Sequence, residues 1–413
     1  MSAFMKKIQE KDQKNRKRIQ DRMKGEDTLY MGDPALNWAT GGWVRGRANL
    51  IYGVSGSGKS TLALKGAGAE QQKTNGYVII WDSEYSHHDP NELDEITGKY
   101  SEKAKLARER YMMCGLDPDK VIVRQSSRID ELFYGLPELI EEVSSGDFEL
   151  SAAIVDSWGG IQSEQARNKI AKGEFGAAGN QYGGNSKTMG PLLQELLRLS
   201  AEQGVTMFFV QHCINNMDEY GPRMLLLGGQ KLKFLVHMVL FVESIQSKDA
   251  SLLEGGIATT KETKASDIIY KVGKKIRFHC EKSRRVVEGR RGEFWFDFEK
   301  CEFALPENSL FTLATALGVI AHPQNTEMET KGARKGQPKL DKDGNPITKE
   351  NKMYWEFPAG APGAQKFHGQ EATKAALAEN RDLYNSVYQE CMHAHKRNAT
   401  DDQTALESKV GDK

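Results

Sequence analysis

The 413-residue chain is short of cysteine and has no close pair of them. Cys114, Cys213, Cys280, Cys301 and Cys391 are scattered, odd in number, and form no C-x-x-C motif. That spacing argues against a disulfide framework or a zinc ribbon and sets a reducing, cytoplasmic location as the expectation. No run approaches the roughly 18 apolar residues that span a bilayer. Charges stand where a signal peptide carries its apolar stretch, so no membrane partner is expected. Net charge is also lacking: 57 Lys and Arg face 57 Asp and Glu. The balance excludes a uniformly basic nucleic-acid coat and an acidic disordered solubiliser, while leaving room for local basic patches.

The charge is unevenly spread. In residues 4–24 nine cations face three acids, a local net charge of +6, and Gly25 supplies a helix stop. Two readings stand: a solvated helix, or an arm that packs on a neighbouring subunit or approaches phosphates. From about 40 to 305, short β-rich runs alternate with helical ones. ANLIYGV (48–54), GYVIIWD (76–82), KVIVRQ (120–125), SAAIVDSW (151–158) and VTMFFVQHC (205–213) read as parallel strands buried on both faces. The runs at 267–283 and 292–299 alternate more, as antiparallel strands at one edge would. The pattern is that of a doubly wound α/β core. Residues 159–190 and 214–230 interrupt it as loops at strand ends, where open α/β sheets bind ligands. The expected organisation is an N-terminal basic helical arm over 1–30, a core over 31–305, a small α/β or α subdomain over 306–398, and a flexible tail over 399–413.

The strongest chemical signal is Gly53-Val54-Ser55-Gly56-Ser57-Gly58-Lys59-Ser60, followed by Thr61, between an expected strand and an expected helix. It fits G-x-x-x-x-G-K-[ST], in which backbone amides and a helix N-terminus cradle phosphates. Lys59 would reach the terminal phosphates and Ser60 would sit on Mg²⁺. Asp156 ends an apolar strand, which marks either a magnesium-holding carboxylate or a turn initiator. Asp82 and Glu84 follow another strand end. Glu84 is the candidate to orient or deprotonate an attacking water, Asp82 is the alternative, and a capping role for Glu84 is the plain one. His87 and His88 lack spaced partners for a metal and read as surface histidines. Gln211 and His212 tip a buried strand. Gln211 reads equally as a γ-phosphate contact or as a polar strand terminus. Lys282, Arg284, Arg285, Arg290 and Arg291 gather near a turn, either as a solvated hairpin or as an arginine-finger region acting on a neighbouring subunit.

In this order, GVSGSGKST, WDSEY, CGLDPDKVIV, AAIVDSWGG, Gln211-His212, Gly228-Gly229 and Glu281-Lys282-Ser283-Arg284 resemble the RecA/Rad51 recombinase family, most closely its UvsX-like branch from T4-like bacteriophages. The resemblance runs from about 30 to 320. It implies a RecA-type P-loop ATPase core with a mostly parallel twisted sheet flanked by helices. It further implies ATP and Mg²⁺ as cofactors, Glu84 as the water-activating glutamate, and Gln211 as the γ-phosphate sensor. Lys282 and Arg284 become the pair reaching an adjacent subunit's ATP. The loops 159–190 and 214–230 become DNA-binding loops, with Lys187, Tyr182, Tyr220, Arg223, Gly228 and Gly229 as candidate contacts. The chain departs from the family in a charged insertion between Asp89 and Cys114, and the tyrosine that stacks on adenine in relatives has no clear counterpart there.

The expected function is a DNA-dependent ATPase that forms helical homo-oligomeric filaments on single-stranded DNA and catalyses homologous pairing and strand exchange with duplex DNA. Single-strand-binding and mediator proteins are the expected partners, in the cytoplasm of an infected bacterial host if the chain is phage-encoded. Two alternatives remain at this level: a hexameric helicase on the same core, and a nucleotide-switched regulatory or assembly ATPase without strand exchange.

Overall fold

A computed structural model describes residues 27–145, 148–161, 182–215, 224–226, 231–247, 250–253, 256–257, 271–328, 337–341 and 345–394. The N-terminal basic segment, the middle of the first loop and the C-terminal tail lie outside the described residues, as do Tyr220, Arg223, Gly228 and Gly229. The chain divides into two compact units, Met1–Gly32 with Ala39–Ala304, and Asp33–Trp38 with Leu305–Lys413.

The first unit is built on one sheet, which among the described residues has twelve strands. These are β1 (Ala48–Gly53), β2 (Tyr77–Asp82), β3 (Val121–Gln125), β4 (Leu150–Asp156), β5 (Thr206–Asn215), β6 (Met224–Leu226), β7 (Met238–Ser244), β8 (Ser251–Leu253), β9 (Gly256–Ile257), β10 (Lys271–Ser283), β11 (Arg291–Asp297) and β12 (Glu302–Ala304). The strands β7-β1-β5-β4-β2-β3 run parallel in that order. β6 pairs the end of β5 antiparallel, within the segment 214–230 expected as a loop; elsewhere antiparallel pairing begins where β10 joins β7, and β10 also pairs β8 and β11. The fold is thus an α/β fold with a large, mostly parallel sheet, and the antiparallel strands expected from 267–299 form one side of it.

Every residue of β1 and β4 is buried, as strands covered on both faces require. One face packs Leu50, Ile79, Trp81, Val155, Met207 and Phe209 against the helices α3 (Ile129–Ser145), α4 (Tyr182–Gln203) and α5 (Lys231–Leu235). The other face carries α1 (Lys59–Thr74), which is closed at its C-terminus by left-handed Asn75, whose N–H reaches Gln71 O. Arg45 Nη2 meets Glu70 Oε1 on α1 at 2.9 Å with both side chains buried. α2 (Glu102–Met113) lies within the charged insertion and is capped by Ser101, whose side chain accepts from Ala104 N.

Two expectations are corrected. The run 120–125 is not buried on both faces, since Arg124 and Gln125 are exposed; among the described residues β3 pairs β2 alone and forms a sheet edge. The loop expected over 159–190 does not extend to 190, because helix α4 begins at Tyr182. Buried Leu192, Leu193, Leu196 and Leu199 anchor that helix, and packing outweighs the low propensity of Gly183 and Gly184. The backbone of Tyr182 and Lys187 therefore lies in the first turns of α4.

The second unit contains α6 (Pro306–Ala316), a hairpin of Tyr354–Phe357 with Gln365–His368, α7 (Gly369–Glu379) and a further helix over 381–394. Its core gathers Leu310, Phe311, Phe367, Leu377, Val387 and Cys391. Among the described residues no helix is long and apolar enough to cross a membrane.

Candidate nucleotide-binding site

The turn 53–58 leaves the C-terminal end of β1 and enters α1 directly. Gly53 is required by packing: a Cβ there would lie 1.8 Å from Val242 O on the neighbouring strand. Gly58 takes the left-handed conformation, φ 81°, that caps α1 without a side-chain cap. The first amides of α1 thus face an open cleft of about 440 Å³ lined by Ser55, Gly56, Gly58, Lys59, Ser60 and Thr61 of this segment. Lys59 is buried and folds over the turn, its Nζ donating to Val54 O at 2.9 Å, while Ser57 Oγ donates to the same carbonyl at 2.8 Å. Burial lowers the Lys59 pKa from its ordinary value, against the opposing pull of Asp156 and Glu84.

Parallel register brings three more strand ends to this edge. Asp82 of β2 stands opposite Asp156 of β4, and His212 of β5 stands opposite Gly53. Glu84 lines the cleft and accepts from His212 Nε2 at 2.9 Å and from Ser157 Oγ. The His212 donor, above all, holds the Glu84 carboxyl well below its usual range, at about 2. Asp82 is fully buried, and its oxygens accept the backbone N–H groups of Glu84 at 3.1 Å and His87 at 2.7 Å. Its geometry is that of a loop anchor that presents Glu84.

Strand alternation sends Gln211 and His212 to opposite faces. His212 lines the cleft, whereas Gln211 is buried on the other face, where its Oε1 accepts from Gly159 N at the start of the first loop. His87 does not lie at the surface as expected. It is buried at 2 % exposure, with Nε2 3.2 Å from Asp156 Oδ2. The sequence reading looked for Cys or His partners and so missed a carboxylate 69 positions away. It also missed Arg110 of the insertion, Lys274 of β10 and Phe298, all of which line the cleft. Their convergence depends on pairings of distant segments, which no local motif announces.

Lys282 and Arg284 are not brought to this cleft. β10 runs antiparallel to β7, so Ser283 stands opposite Met238, which pairs Asn49 near the start of β1, while Phe278 stands opposite Val242, which pairs Gly53. Lys282 Nζ donates to the carbonyls of Lys233 at 3.1 Å and Phe234 at 2.6 Å, and Arg284 is exposed. Both therefore lie toward the sheet edge opposite their own chain's P-loop.

Among the described residues no group of three or more His, Cys, Asp or Glu side chains is arranged to hold a metal by itself. Ser60 and Asp156 offer hard oxygen donors, one at the head of α1 and one at a strand end on the same sheet edge. That donor chemistry fits a magnesium ion that arrives with phosphates and keeps several waters.

No protein-family profile matches the chain. Among curated proteins it is 28% identical over 234 residues to Protein RecA of Rippkaea orientalis (strain PCC 8801 / RF-1), a match covering 56% of this chain and 58% of that relative. It is 29% identical over 234 residues to Protein RecA of Gloeothece citriformis (strain PCC 7424), covering 56% and 57%. Protein RecA of Aquifex aeolicus (strain VF5) is 27% identical over the same length, with the same coverage. The chain thus spans little more than half the length of these relatives, and over that span it is similar to RecA proteins.

Proposed function

We propose that the chain is an ATP-dependent DNA recombinase of the UvsX-like, bacteriophage type, which forms filaments on single-stranded DNA and carries out homologous pairing and strand exchange. The observation that carries this reading is the Glu84–His212 hydrogen bond beside Lys59. It joins the carboxylate suited to hydrolysis to the strand that leads into the second loop, so the state of the nucleotide reaches that loop through one side chain. His212 takes this part by its position in the cleft; Gln211, on the other face, ties the same strand to the first loop through Gly159.

In this reading the amides of residues 55–60 and Lys59 hold the phosphates of ATP, and Ser60 and Asp156 hold Mg²⁺, which neutralises charge on those phosphates when bound. Glu84, with its low pKa, orients water and adds electrostatic stabilisation; a carboxylate titrating at about 2 is a weak proton acceptor. Phe298 and Arg110 supply a ring and a guanidinium against which the base can stack. Lys282 and Arg284, lying toward the far edge of the sheet, complete the site of an adjacent copy. The likeness to RecA proteins adds support from outside the site.

The test is steady-state ATP turnover with and without single-stranded DNA, beside negative-stain images. Turnover stimulated by DNA, with open helical filaments in the presence of ATP, is expected. Closed rings would favour a helicase motor on the same core, and turnover indifferent to DNA without filaments would overturn the recombinase reading.

A further inference from the structure

We infer that His87 is a positioning residue for the metal-holding carboxylate, fixing Asp156 through its Nε2–H while Tyr111 of the inserted helix fixes His87. The inference rests on the nucleotide-binding reading above and gives the insertion between Asp89 and Cys114 a part in it. A carboxylate accepts, so the proton shared between His87 Nε2 and Asp156 Oδ2 at 3.2 Å belongs to the imidazole, and Nδ1 is left facing the Tyr111 hydroxyl at 3.4 Å. The Tyr111 ring stacks on the imidazole, with centroids 6.2 Å apart and planes 18° from parallel. The same hydroxyl stands 3.2 Å from His88 O, so its one proton is shared between that carbonyl and Nδ1. The histidine backbone is held as firmly: its N–H donates to Asp82 Oδ2 at 2.7 Å, and its carbonyl accepts from Gln125 Nε2.

All three side chains in the line Tyr111–His87–Asp156 are at most 2 % exposed. An imidazole placed there without partners would lose the hydration of two ring nitrogens, so its retention in a dry position calls for the bonds it makes. Asp156 is the buried carboxylate at the end of β4, and among the described residues no group of three or more His, Cys, Asp or Glu side chains could hold the ion in its place. A magnesium ion held by few protein oxygens depends on the rotamer of each, and a histidine donor behind the carboxylate sets that rotamer. Helix α2 thereby reaches the metal through two side chains: a shift of α2 moves Tyr111, then His87, then Asp156.

The experiment uses the full chain with Mn²⁺ as the probe, following the loss of the free Mn²⁺ electron paramagnetic resonance signal in the presence of a non-hydrolysable ATP analogue. Binding of the same analogue in EDTA is measured alongside. For His87→Ala the half-saturating Mn²⁺ concentration rises about 10- to 100-fold, the range for lost metal-supporting contacts. The EDTA binding stays at the wild-type level. His87→Gln, which keeps an N–H donor, recovers most of the loss. Tyr111→Phe, which keeps the stack and removes the hydroxyl, shows a severalfold rise. A His87→Ala curve superimposed on wild type overturns the positioning role, as does equal loss of metal-dependent and EDTA binding. If His87→Ala does not fold, an unchanged Tyr111→Phe curve overturns it. Wild-type protein that binds no analogue at all overturns the nucleotide reading and this inference together.

Discussion

Glu84 is ionised across the whole range in which proteins are ordinarily handled, because His212 and Ser157 both donate to its carboxylate. His212→Ala removes the larger of these influences, so the Glu84 pKa rises from about 2 toward its ordinary 4.5. Carboxyl-carbon NMR titration of the labelled protein reads that shift directly, and a Glu84 resonance that stays near pH 2 in the variant would show the histidine to be irrelevant. Glu84→Gln keeps the size of the side chain and its place in the cleft. It should bind ATP at the wild-type level while hydrolysis falls about 10²- to 10³-fold, as for a lost electrostatic contact to the transition state. At Gly53 the expectation concerns stability: a methyl 1.8 Å from Val242 O cannot be accommodated without moving β7, so Gly53→Ala costs about 3 kcal/mol in denaturant unfolding.

At the level of elements, the parallel strands were legible wherever both faces are covered. β1 and β4 announce themselves as unbroken apolar runs because burial there is complete. β3 carries a similar run and still ends in exposed Arg124 and Gln125, since among the described residues it has a neighbour on one side only, and strand order is not written in a strand's own composition. The P-loop was legible because its function depends on a local spacing of glycine, lysine and serine. Asp156 and Glu84 were legible as strand-end carboxylates. His87, Arg110 and Phe298 were not, because each acquires its neighbours from segments far along the chain. That His212 and not Gln211 lines the cleft follows from which face of β5 each occupies, a matter of register that one residue of slip reverses. The opposed ends of β10 make a further prediction. Lys59→Ala should not bind ATP but still carries Lys282 and Arg284, whereas the double variant Lys282→Ala/Arg284→Ala should bind ATP and lack both reaching cations. Each alone is inactive, and a mixture regains part of the DNA-stimulated turnover if the pair acts on the neighbouring copy. A mixture no more active than its parts would show that Lys282 and Arg284 do not act between copies.

For the molecule as a whole, a net charge of zero conceals local positive fields, and His237 reports one of them. Burial, reinforced by Arg284, Arg47 and Lys282, holds its pKa at about 4 against an ordinary 6.5. The unfolded chain therefore binds more protons than the folded chain between those values. The contribution is fully present above pH 6.5 and is lost progressively as pH falls toward 4. His237→Gln should lose less stability than wild type between pH 7.5 and 4.5, read as the change in urea midpoint; equal losses would remove His237 from the account. That crowding of cations toward the edge opposite the P-loop also agrees with a surface made to meet an anionic partner group, as the proposed filament would require. The central claim is homologous strand exchange, and the joint-molecule assay addresses it most directly. Purified protein, ATP, Mg²⁺ and a labelled single strand are incubated with supercoiled duplex of matching or unrelated sequence. The account predicts D-loops with the matching duplex alone, abolished by Lys59→Ala. No D-loops from folded, ATP-hydrolysing protein, or equal yields with unrelated duplex, would contradict it.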